Sequence, residues 1–67
     1  MAIVKVIEVI AESPISWEEA TQEAIKQASK SVNNIQSIYI KEFKASVAGD
    51  KVNKYLVNAK ISFIVED

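Results

Sequence analysis

The chain has 67 residues, 49% of them hydrophobic, with eight lysines, nine carboxylates, no arginine, no histidine, no cysteine and a net charge of −1. That length predicts one domain over residues 1–67, near the lower limit for folding alone. The missing residue types exclude disulfides, thiolate metal sites and histidine general bases. They also remove the bidentate guanidinium that phosphate and guanine recognition favour, and the charge balance gives nucleic acid no reason to bind.

No apolar run approaches the ~18 residues of a membrane span. The first residues show no basic segment leading into a short apolar one, so no signal peptide is expected and the cytoplasm is the expected compartment.

Residues 2–11, Ala-Ile-Val-Lys-Val-Ile-Glu-Val-Ile-Ala, are rich in β-branched side chains and predict a strand. Val4, Val6 and Ile10 fall on one face, and Ile3, Ile7 and Val9 on the other. A strand apolar on both faces is covered on both faces. In so short a chain a helix can cover one face, and the other calls for a second subunit.

Pro14 ends that strand. Ser16 is a natural N-cap, and Glu19, three residues on, predicts a capping box. The helix is expected from about Trp17 to about Val32, with Trp17, Ala20, Ala24, Ile25, Ala28 and Val32 forming one apolar stripe. Its alanines allow close approach to a sheet. Glu18 and Glu19 suit the positive end of the dipole, and Lys26 and Lys30 lie nearer the negative end. Trp17 reads as a core or rim aromatic, with ligand stacking as the alternative. Asn33-Asn34 is expected to close the helix through a left-handed residue.

A second strand is expected from Ile35 to about Val47, then a turn at Ala48-Gly49-Asp50-Lys51, with the only glycine in a two-residue hairpin loop. The last strand, Val52 to about Glu66, alternates cleanly. Tyr55, Val57, Ala59, Ile61, Phe63 and Val65 form its apolar face, and Lys54, Asn58, Lys60, Ser62 and Glu66 the wetter one. Leu56 and Ile64 break the pattern on the wetter side and mark expected contacts. Two such strands reach ~40 Å, against ~24 Å for a sixteen-residue helix. The overhang and the long edges need partners, which predicts a homo-oligomer.

Catalytic motifs are lacking: no nucleophile elbow, no phosphate loop and no zinc-binding helix occur. Glu18-Glu19 fits capping and Glu66-Asp67 a solvated tail. Lys41, Glu42 and Lys44 fit surface or intersubunit ion pairs. An enzyme is not expected.

In Ser13-Pro14-Ile15-Ser16-Trp17-Glu18-Glu19-Ala20, Lys5 to Ile10, Ala28 to Ile35, Tyr39 to Glu42 and Ile61 to Asp67, the chain resembles the dodecin family along its whole length. The resemblance implies an α+β fold of order β-α-β-β, a three-stranded antiparallel sheet wrapped around one helix, and assembly as a hollow homododecamer that binds or stores a small molecule. The family ligand is a flavin, riboflavin or FMN. Its stacking tryptophan corresponds to Ser37 here, and the glutamine at the flavin edge to Leu56. Basic residues for phosphate ends fall near Lys44 and Ile64. Flavin binding is therefore expected to be weak or lost. Tyr39, two residues from Ser37 and on the same strand face, either packs between subunits or offers a displaced stacking platform. The cofactor-site residues are thus Ser37, Tyr39, Lys44 and Leu56, with a flavin-less shell binding cations such as calcium, or another small ligand, as the alternative.

Overall fold

A computed structural model describes residues 2–65. The elements are β1 (Ile3–Ser13), α1 (Trp17–Ala28), β2 (Ile35–Ala48) and β3 (Lys51–Val65). They form one antiparallel sheet in the order β1-β3-β2, with the single helix on one face. The last strand takes the centre because it carries the most complete apolar face: Val57, Ala59 and Ile61 are fully buried. The β-α-β-β expectation holds. The tail Glu66-Asp67, expected to be solvated, lies outside the described residues.

The helix begins as the sequence predicts and ends earlier. The Ser16 hydroxyl accepts from the Glu19 amide at 3.0 Å. The reciprocal half of the capping box is taken over by Ser13, whose hydroxyl accepts from the amides of Ile15 at 3.0 Å and Ser16 at 3.5 Å. Among the described residues Ser13 is the one buried polar residue, which explains why a hydroxyl rather than a long carboxylate serves this corner. At the other end α1 stops at Ala28 instead of Val32. The Ser29 hydroxyl bonds to the Lys26 carbonyl at 2.8 Å, and Lys30 and Ser31 donate to carbonyls only three residues back. Serine side chains that compete for backbone groups favour such winding down. Asn34 does adopt a left-handed φ of 61°, but as the entry to β2, where its carbonyl accepts from the Ile64 amide at 3.1 Å. Gly49 has a φ of +66° in the two-residue loop between β2 and β3, the position where a hairpin turn requires glycine.

Length mismatch decides what the chain can bury. A twelve-residue helix spans ~18 Å, while the molecule is 51 Å long and only 19 and 13 Å across. Its radius of gyration, 13.7 Å, exceeds the ~11 Å of a compact chain of this length. The buried core is accordingly small: Ala20 and Ala24 of α1 against Val57, Ala59 and Ile61. Val4, Val6 and Ile10 on the far face of β1 stay more than half exposed. Ile3 lies on the helix side and is also exposed, because α1 does not reach it.

Candidate functional site

The pairing register defines the sheet face opposite the helix as rows of three. From one end to the other these are Val6–Ser62–Ser37, Glu8–Lys60–Tyr39, Ile10–Asn58–Glu42 and Glu12–Leu56–Lys44, each across β1, β3 and β2. All four sequence-predicted site residues therefore share this open face. They do not form one cluster. Ser37 pairs with position 62 and Lys44 with Leu56, so the two ends are six residues apart along β3, about 20 Å at the usual strand rise.

A β-bulge between Ile40 and Glu42 separates the two pairs. It leaves Lys41 as the extra residue, and Lys41 reaches over β3 to the Glu8 carboxylate at 3.6 Å. Extra strand residues of this kind re-aim side chains. A second ion pair on the face joins Lys54 to Glu12 at 3.1 Å. Both pairs are about half exposed, so each contributes little stability. Leu56 lies between Lys44 and Glu12 in its row and is partly buried. Tyr39 is 65% exposed and pairs with Lys60.

Two polar atoms here escaped the sequence reading. Asn58 Oδ1 and Ser46 Oγ are buried and have no hydrogen-bond partner among the described residues. Both belong to the hairpin, and both lie on this outer face by register. Alternation marked Asn58 as wetter-side; nothing in the sequence marked it as orphaned.

Trp17 is not on this face. It sits at the start of α1 and meets Tyr55 edge-on at 4.9 Å and Phe43 at 6.0 Å between ring centroids. Its indole N–H donates to the Lys44 carbonyl at 2.8 Å. Trp17 is thus the rim aromatic that ties the helix start to β2. Beside it a groove of about 360 Å³ runs past Ile40 and Phe43, because α1 leans toward β1 and β3 and leaves β2 uncovered. A second groove, of about 430 Å³, flanks the helix at Val9, Ala24 and Gln27.

Among the described residues no group of three or more carboxylates is placed to hold a metal ion, and no helix is long and apolar enough to cross a membrane.

Comparison with known proteins agrees with this architecture. Residues 3–66 match the family model described as Dodecin. Calcium dodecin of Mycobacterium tuberculosis is 35% identical over 63 residues, covering 94% of this chain and 89% of that protein. The crystal structure of calcium dodecin from Mycobacterium tuberculosis, described as calcium-chelating with a novel calcium-binding site, superposes with a TM-score of 0.81 at 35% identity, over 91% of this chain and 87% of that one. An arginine-to-alanine variant of Thermus thermophilus dodecin superposes with a TM-score of 0.95 over 100% of both chains at 24% identity, a likeness of fold. With the family model spanning residues 3–66 and a relative 35% identical over 94% of its length, the chain belongs to the dodecin family.

Proposed function

We propose that the protein is a non-enzymatic small-molecule-binding or storage protein of the cytoplasm, working as a hollow homododecamer whose outer sheet faces line the ligand sites. Flavin is held weakly or not at all. The observation that carries this reading is that Ser37, Tyr39, Lys44 and Leu56 occupy one open sheet face with no helix over it. On the family resemblance, Ser37 puts a hydroxymethyl group where flavin-binding members stack a ring, and Leu56 an isobutyl group where they present an edge amide. A lost stack costs ~1–3 kcal/mol, by analogy with base stacking on aromatics, and an unpaired polar edge ~1–3 kcal/mol. Assembly is supported by the exposed Val4, Val6 and Ile10 and by the elongated shape, since a lone chain leaves these apolar groups in water.

The test is calorimetric titration with riboflavin of the wild type and of the double variant Ser37→Trp, Leu56→Gln. The reading expects the double variant to bind at least about a hundredfold more tightly, the equivalent of ~2.8 kcal/mol. Equal affinity contradicts it.

A second reading, a flavin-less shell that binds calcium, is favoured by the 35% identity to calcium dodecin. Among the described residues of one subunit the fit is poor, because Glu8 and Glu12 are each paired with a lysine and Glu42 alone is left on that face. Calcium takes six to eight oxygen ligands, so such a site would draw carboxylates from several copies. Calcium titration of the assembled protein separates the two readings.

A further inference from the structure

We propose that the tip of the β2–β3 hairpin, residues 47–53, docks on a second copy of this chain, against the free edge of β1 in the groove beside α1. The proposal rests on the homo-oligomer reading above and names the two elements that join its copies.

The tip is an arm without support of its own. The last row that includes β1 is Ser13–Tyr55–Ala45, and α1 starts with Trp17 against Tyr55. Past that row the last link back is Lys54 to Glu12, and a register shift between Ser46 and Val47 sets the tip apart from the sheet. Val47 and Val52 pair with each other across the tip and are 65% and 49% exposed. A two-stranded hairpin that carries apolar groups and packs on nothing is marginal in water. Area gives the scale of what is missing. The chain exposes 4990 Å², where a folded monomer of this mass is expected to expose about 4,200 Å². The excess matches the roughly 800 Å² that one partner gives to a standard interface.

Two grooves flank the helix, and the strand edges choose between them. The one of about 430 Å³ runs along Ile7 to Glu12 of β1, an edge strand whose register with β3 is unbroken from Ile3 to Ser13. A continuous free edge with a small-residue wall, Ala24 and Ala28, admits an added β-arm. The groove of about 360 Å³ beside Trp17 meets β2 at Ile40 and Phe43, where the bulge interrupts the edge. Charge agrees with the first choice. Glu23 stands on the rim, held by Gln27 Nε2 at 2.8 Å, no lysine lines the groove, and Lys51 of the arm has no ion pair among the described residues. Arm and groove are different surfaces, so the contact is head-to-tail and builds a closed assembly by forming rings.

The experiment is cross-linking of the assembled protein with a short bismaleimide, which finds no native cysteine to react with. Within one chain Val52 and Gln27 lie on opposite sides of the Tyr55 row, about 25 Å apart, so any link between them joins two copies. The double variant Val52→Cys, Gln27→Cys is expected to give covalent dimers and trimers on a denaturing gel. The double variant Val52→Cys, Ile40→Cys is expected to give none. Val52→Asp should at least halve the mass seen by light scattering and leave the circular dichroism unchanged. A wild type that is assembled, with no link between positions 52 and 27, overturns the docking and leaves the oligomer standing. Linking through position 40 instead, or a Val52→Asp variant that stays fully assembled, also overturns it. A monomeric wild type overturns the oligomer reading and the docking with it.

Discussion

On the helix side of the sheet, Val57, Ala59 and Ile61 are fully buried beneath Ala20 and Ala24. On the other side, the intervening residues of the same strand, Asn58 and Lys60, meet no covering element, and Asn58 keeps an unsatisfied buried oxygen. The first face completes itself within one chain. The second collects what a lone chain cannot satisfy: exposed Val4, Val6, Ile10 and Tyr39, and orphaned polar atoms at Ser46 and Asn58. Strand alternation separates the face that packs within the chain from the face that stays open, so substitutions on the two faces should fail in different ways.

The largest effect is expected on the helix face. Ile61→Ala removes a fully buried side chain and should cost ~2–5 kcal/mol in denaturant unfolding. In so small a core, that is enough to deplete the folded protein. On the outer face of β1, Val6→Asp or Ile10→Asp should leave the helix packing untouched and dissociate the assembly. Light scattering should then report subunits, with α-helical circular dichroism retained. If either variant stays fully assembled, the outer face of β1 is not an interface.

A smaller effect tests the corner between β1 and α1. Ser16→Ala should cost ~1 kcal/mol. Ser13→Ala should cost as much or more, because it strips a buried acceptor from two amides. Glu19→Gln should change stability by only a few tenths of a kcal/mol, since Ser13 rather than Glu19 serves the Ser16 amide. The smallest effect is expected at the surface ion pair. Lys54→Ala, whose partner Glu12 is half exposed, should stay below ~1 kcal/mol and shrink further in salt.

The legible parts of the fold were those with local signals. The alternation of β3, the Ser16 cap and Gly49 in the hairpin loop each have a short-range cause, and each stands where the residue pattern puts it. The apolar stripe continues to Val32, whereas α1 ends at Ala28, where the Ser29 hydroxyl bonds to the Lys26 carbonyl and the backbone tightens into three-residue turns. The takeover of half the capping box by Ser13 depends on burial, which no local pattern reports. In the candidate site, the shared face of Ser37 and Tyr39 followed from strand periodicity. The pairing of Asn58 with Glu42 did not, because it depends on inter-strand register and on the bulge at Lys41.

The most direct test of the account is native mass spectrometry of the purified protein with riboflavin added in modest excess. The account predicts a dodecamer without a flavin-sized mass, together with a dodecamer of the Ser37→Trp, Leu56→Gln variant that carries it. A wild-type dodecamer saturated with riboflavin, or a chain that remains monomeric, would contradict it.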